Sequence, residues 1–267
     1  MLNKKPIGVF DSGLGGLSVV EKVLVQIPQA KIIYLGDTAR VPYGGKSAGE
    51  LKSFADDITQ FLVDKNCGVI VDACNSTSAV ALDFLQEKYA NPIIGVIEPG
   101  IRSALAITQN GRICVIGTEA TVKSGAHKKV ACELDPDVSV VSLACPDFVP
   151  LVEAGEVTGE RVISIVRRTL EPLMDTKIDT LILGCTHYPY LAKAIKEVIG
   201  ESITLVDPAY ETTKETKKYF GEEFAEKTLQ EKVPDHEFYV TGNPENFQRV
   251  GEILMGGKLP LVKKVIT

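Results

Sequence analysis

Short apolar runs recur along the chain, each closed by glycine or polar residues and followed by a stretch whose apolar positions fall at helical spacing. The runs predict strands at "IGVF" (7–10), "KIIYLGD" (31–37), "GVIVDAC" (68–74), "PIIGVI" (92–97), "RICVIG" (112–117), "VSVVSLAC" (138–145), "DTLILGC" (179–185) and "TLVDP" (204–208). Between them, "SAGELKSFADDITQFLVDKN" (47–66) and "GERVISIVRRTLEPLMDT" (159–176) carry the spacing of amphipathic helices. Strands that are apolar throughout cannot turn one side to water, so they belong in a parallel sheet covered on both faces. The expected fold is α/β and doubly wound, with ligands bound beyond the carboxyl ends of the strands.

Aligning the strands exposes an internal repeat. "IGVFDSGLGGLSVVEKV" from Ile7 resembles "ICVIGTEATVKSGAHKKV" from Ile113, with strand, hydroxyl residue and helix in the same order. "GVIVDACNSTSA", with Cys74, answers "DTLILGCTHYPY", with Cys185. Two similar α/β halves follow, and if they face each other the two thiols approach one shared cleft.

A chain of 267 residues with 45% hydrophobic residues supports one or two domains. Acidic side chains outnumber basic ones 35 to 29, and long runs of like charge are missing, which argues against a nucleic-acid surface. Neither a signal-peptide h-region nor a membrane-length apolar window is seen, so a soluble cytoplasmic protein without a membrane partner is expected. The six cysteines are scattered without the close spacing of a zinc site or a disulfide framework, so reduced thiols and no metal are expected.

Three stretches carry candidate chemistry. "DSGLGGLS" from Asp11 nearly matches G-x-G-x-x-G between strand and helix, and Asp37 ends the next strand near where a ribose-binding acid would sit. Ser18 replaces the third glycine, however, and Asp11 would repel a pyrophosphate. A dinucleotide loop, a plain glycine turn, and a loop that places Asp11 and Ser12 beside an amine all remain open. "DACNSTSA" puts Cys74 at a strand end before a helix start, where backbone N–H groups and the helix dipole lower a thiol pKa. "GCTHYP" puts Cys185 two positions before His187, as in a nucleophile–base pair, a half-built metal site or an assisted proton carrier. Two thiols at matching repeat positions suit chemistry that needs proton-transfer groups on opposite faces of one carbon. "GDTARVPYGGKS" adds Tyr43 and Gly44 on the ligand edge, and "FVPLVEAGE" adds Glu153 in the second half. Cys67, Cys114, Cys132 and Cys145 read as structural, and His127 and His236 lack an adjacent acid or thiol.

In that order, "DSGLGGLSV", "GD" at Asp37, "PYG" at Tyr43, "ACN" at Cys74, "GTEATVKS" at Thr118 and "GCTHYP" at Cys185 resemble the glutamate racemase family over nearly the whole chain. The resemblance implies a cofactor-independent, and therefore pyridoxal-phosphate-independent, isomerase that interconverts L- and D-glutamate for peptidoglycan biosynthesis, cell-wall biogenesis and cell shape. It implies two α/β domains, expected at 1–97 with 208–267 and at 98–207, with the active site between them. It also implies a homodimer and regulation by a peptidoglycan precursor. By position, Cys74 and Cys185 become the acid/base thiols, with Cys185 removing the α-proton of L-glutamate and Cys74 that of D-glutamate. Asp11 and His187 assist the neighbouring thiols, with Glu153 and Asp37 in support. Substrate contacts fall to Asp11, Ser12, Tyr43, Gly44, Asn75, Ser76, Thr186 and His187. The chain departs from the family pattern at Ser76, where threonine is usual, and at Asp72, where the strand is usually apolar. If buried, Asp72 raises the pKa of Cys74.

Three other functions compete: a racemase for aspartate or another amino acid, a cysteine hydrolase using Cys185 with His187, and a non-catalytic ligand-binding protein of the same fold.

Overall fold

The computed structural model describes residues 5–220 and 234–267; residues 1–4 and 221–233 of the expected first domain lie outside them. The strands are β1 (Ile7–Asp11), β2 (Ile32–Gly36), β3 (Val69–Asp72), β4 (Ile93–Gly95), β5 (Arg112–Gly117), β6 (Ser139–Ala144), β7 (Thr180–Gly184), β8 (Thr204–Val206), β9 (Glu237–Val240) and β10 (Val262–Lys264). The helices are α1 (Leu17–Gln26), α2 (Ala48–Asp64), α3 (Asn75–Lys88), α4 (Ile97–Ile107), α5 (Glu119–Ser124), α6 (Ala126–Leu134), α7 (Phe148–Glu153), α8 (Glu160–Leu170), α9 (Ala192–Ile199), α10 (Pro208–Lys217) and α11 (Pro244–Met255).

One sheet has the order β10-β9-β2-β1-β3-β4 and the other β6-β5-β7-β8, with every pairing parallel. The repeat is visible in this order, because β2-β1-β3-β4 and β6-β5-β7-β8 are the same arrangement built twice. Cys74 follows β3 and Cys185 follows the equivalent β7.

Alternate residues of the central strands enter separate cores, as double covering requires. Val9 packs with Val20, Tyr34 and Phe247 on one side of the first sheet, whereas Phe10 packs with Ala55, Ile58 and Leu85 on the other. In the second sheet, Ile113 and Val115 join Ile101 and Ala131, while Cys114 and Ile116 join Phe148, Val166 and Ile195. Burial of whole apolar strands at about 25 cal/mol per Å² of apolar surface is the main force holding each half together.

Local signals explain most helix limits. Ser47 and Glu50 form a capping box at the head of α2, and Leu51, Ala55, Ile58 and Leu62 make its buried stripe. Asn66, at φ 60°, follows its end. The second predicted helix is shorter than its apolar spacing suggests: α8 ends at Leu170, and Pro172 sits in a single 3-10 turn, Glu171–Leu173. All eight predicted strands form. The sequence reading missed β9 and β10 on the first sheet's outer edge, where "VKK" exposes both lysines. Lys31 pairs with Glu237 at 2.5 Å, and Lys65 donates to the Tyr239 hydroxyl at 2.7 Å, tying β9 to the sheet. Among the described residues, no helix is long and apolar enough to cross a membrane.

Candidate active site

The carboxyl ends of the two sheets face one another across a cavity of about 280 Å³. Each half supplies the loops after three equivalent strands. Ser12, Tyr43–Gly45 and Cys74–Ser76 come from the first half; Thr118–Glu119, Cys145–Pro146 with Val149, and Cys185–His187 come from the second. Both candidate thiols line this space, and all six cysteines are free.

On the second-half wall, Cys185 Sγ lies 3.7 Å from His187 Nδ1. The other ring nitrogen, Nε2, is 2.7 Å from Glu153 Oε1, which orients the imidazole as second-layer carboxylates do for functional histidines. Burial disfavours the charged ring, but the hydrogen bonds and charges of Cys185 and Glu153 outweigh it and hold His187 well above the usual histidine range. Burial alone would raise the Glu153 carboxyl, yet the contact with His187 keeps it below its ordinary value. A charged imidazole therefore stands beside the Cys185 sulfur.

The Cys74 wall has the opposite electrostatics. Cys74 is the N-cap residue of α3, the position expected to lower its pKa. Instead burial, followed by Asp11 and Asp72, pushes this thiol well up. The helix dipole, worth about 0.3–1 kcal/mol at an exposed site, loses to desolvation and two nearby carboxyl groups. The two thiols are thus matched in position but differ in surroundings, one beside a charged imidazole and the other beside two carboxyl groups.

The glycine-rich turn offers no phosphate cradle. Two of its N–H groups are already engaged by carboxyl oxygens, Gly13 donating to Asp11 Oδ2 at 2.9 Å and Leu14 to Glu153 Oε1 at 3.0 Å. Other bonds cross between the halves beside it: the Thr186 hydroxyl donates to Asp11 Oδ1 at 2.9 Å, and the Ser18 hydroxyl donates to the Thr186 carbonyl at 3.0 Å.

Nine of the predicted positions line the cavity: Ser12, Tyr43, Gly44, Cys74, Asn75, Ser76, Cys185, Thr186 and His187. Asp11, Asp37 and Glu153 stand one hydrogen bond behind it, each holding a residue that does. Asp11 holds Thr186 and Glu153 holds His187. Asp37 accepts from the Tyr43 hydroxyl and pairs with Arg40 at 2.6 Å, while Thr241 donates to its other oxygen at 2.7 Å. Sequence reasoning missed Thr118 and Thr121, which share hydroxyl contacts with Ser76 at 2.9 and 3.3 Å and so bridge the halves. Thr118 answers Ser12 when the repeat from Ile7 is laid on that from Ile113, a signal that could have exposed it. Cys145 is buried, as a structural cysteine should be, but it also lines the cavity. Among the described residues, no group of three His, Cys, Asp or Glu could hold a metal ion.

Fold and site define a two-halved α/β protein that handles a small ligand between matched strand ends. Residues 7–216 match the Asp/Glu/hydantoin racemase family. A glutamate racemase from Geobacter metallireducens is 45% identical over 262 residues, covering 98% of this chain and 96% of that protein. Among solved structures, a glutamate racemase isoform from Bacillus anthracis superposes with a TM-score of 0.92 at 38% identity, covering 99% of this chain and 98% of that one. A second, from Francisella tularensis in complex with D-glutamate, gives 0.89 at 35% identity over the same shares. The chain belongs to the Asp/Glu/hydantoin racemase family, and as a relative of the glutamate racemases it is an isomerase.

Proposed function

We propose that this enzyme interconverts L- and D-glutamate without a cofactor, using Cys74 and Cys185 as the two acid/base groups, and supplies D-glutamate for peptidoglycan. The observation that carries the reading is the pair of thiols at equivalent strand ends on one cavity. Proton removal from one face of the α-carbon and delivery to the other needs one thiolate and one thiol. The two walls differ in charge in the sense this division needs, with a charged imidazole beside Cys185 and two carboxyl groups beside Cys74. With L-glutamate bound, Cys185 takes the α-proton while His187 holds positive charge beside it, and Cys74 delivers a proton to the opposite face. D-Glutamate runs the same steps in reverse.

The carbanion is the costly species, and hydroxyl, amide and backbone donors at the heads of α3 and α5 offset its charge. Asn75 Oδ1 is buried without a partner, an open acceptor for the substrate ammonium. The membership of the strands in two sheets supports a division into 1–97 with 208–267 and 98–207, with the site between the two parts.

Circular dichroism of the purified enzyme with L-glutamate, and separately D-glutamate, tests the reading. Both signals are expected to decay to zero without added cofactor; a signal constant with glutamate but decaying with aspartate would reassign the substrate. Glu153→Gln removes the charge that holds His187 in place. It is expected to lower kcat roughly 10- to 100-fold, the worth of one charged hydrogen bond. A kcat within twofold of the unaltered enzyme would remove Glu153 from the mechanism.

A further inference from the structure

We propose that Asp72 is a positioning residue for Cys74, fixing its backbone at the head of α3 and governing, through its own proton, when that thiol can carry charge. The inference rests on the two-thiol reading of the site. Asp72 ends β3 and is fully buried. Its Oδ1 accepts from the Cys74 N–H at 3.2 Å and from the Thr77 hydroxyl at 2.5 Å. Its Oδ2 is buried and has no hydrogen-bond partner. A carboxylate with one bare oxygen in such surroundings is costly, and a proton on Oδ2 removes the cost.

Burial, reinforced by Asp11 and opposed by the Thr77 hydroxyl and the Cys74 N–H, pushes Asp72 up to about 8. The titratable groups facing Asp72 and Cys74 are Asp11 from β1, Tyr34 from β2, Tyr43 from the loop after β2, and Cys185 across the cavity. From α3 come Asn75, Ser76, Thr77 and Ser78, from β4 Ile93 to Gly95, and from α10 Pro208, Ala209 and three buried threonines, none of which titrates. At neutral pH Asp72 is therefore neutral, and a Cys74 thiolate meets one negative neighbour fewer. Above about pH 8 its ionisation adds negative charge two residues from the sulfur. Every turnover leaves or finds negative charge on Cys74 at its start or its end, so both directions slow together.

The test is the pH profile of kcat/KM for glutamate from pH ~6 to ~10 in the unaltered enzyme, Asp72→Asn and Asp72→Val, a range that brackets the Asp72 ionisation. The unaltered enzyme is expected to lose activity above about pH 8. In Asp72→Asn this falling limb is lost and activity persists to higher pH, because asparagine cannot ionise. Asp72→Val removes it too and costs more of the plateau rate, because the Cys74 N–H then lacks its acceptor. A second readout does not need turnover: iodoacetamide labelling of Cys74 against pH, read by peptide mass in a Cys185→Ser background. Its midpoint is expected to fall when Asp72→Asn is added. An unmoved limb or an unmoved midpoint overturns the proposal. If the unaltered enzyme fails to racemise glutamate, the functional reading fails, and the labelling midpoint alone decides the role of Asp72.

Discussion

Replacing either Cys74 or Cys185 by serine is expected to stop racemisation from both enantiomers, with kcat lower by at least about 10³-fold. Serine keeps the shape, but its hydroxyl stays protonated at any working pH and so cannot serve as the base. In the proposed mechanism each turnover uses one thiol as base and the other as acid, so neither direction escapes either substitution. The two surroundings make the cause of failure differ. Cys185→Ser removes the thiol beside the charged His187, whereas Cys74→Ser removes the thiol facing Asp11 and Asp72. A hydrolase that relied on Cys185 and His187 alone would tolerate Cys74→Ser. Circular dichroism from each enantiomer separates the two cases.

The second large effect is expected at Gly15. A Cβ at this position would collide with Thr186 Oγ1 and His187 Nδ1, and would come within 2.7 Å of His187 Cε1. That ring is held from its other side by Glu153 and cannot swing away without losing this bond. Gly15→Ala is therefore expected to displace His187 from Cys185 and lower kcat by about 10²-fold or more, since ångström-scale misplacement of catalytic groups has that effect. The far-ultraviolet spectrum should be retained, because Gly15 precedes α1 and the clash lies between the halves. Activity within tenfold of the unaltered enzyme would show that the loops yield. The neighbouring Gly13 faces a similar limit, because a Cβ there would run into Glu153 Oε1.

This contact explains why the turn misleads when read as sequence. "GLGGLS" carries the glycines of a phosphate loop, and composition alone cannot tell whether a backbone is bare to admit a ligand or to admit another part of the chain. Here the partner is the Thr186–His187 loop of the other half. The fold itself was legible, because apolar strands alternating with amphipathic helices fall into only a few arrangements and the repeat fixed the pairing of Cys74 with Cys185. The edge strands β9 and β10 were not legible: they are short, and β10 is polar at its exposed positions. Among site residues, the cavity-lining set was readable from strand ends. The sign of the Cys74 shift was misjudged because a helix start is visible in sequence while burial is not. The positions of Asp11, Asp37 and Glu153 behind the lining depend on bonds between residues far apart in the chain, which no local pattern records.

The proposed mechanism has two different groups handle the α-proton. Its most direct test is the early course of the reaction in deuterium oxide, started from pure L-glutamate and, separately, from pure D-glutamate. With two groups at work, the inverted product is expected to carry deuterium at the α-carbon while the remaining substrate keeps its proton, because the group that delivers is not the one that removed. Deuterium entering the recovered substrate as fast as the product would mean that one group serves both faces, and would contradict the two-thiol mechanism.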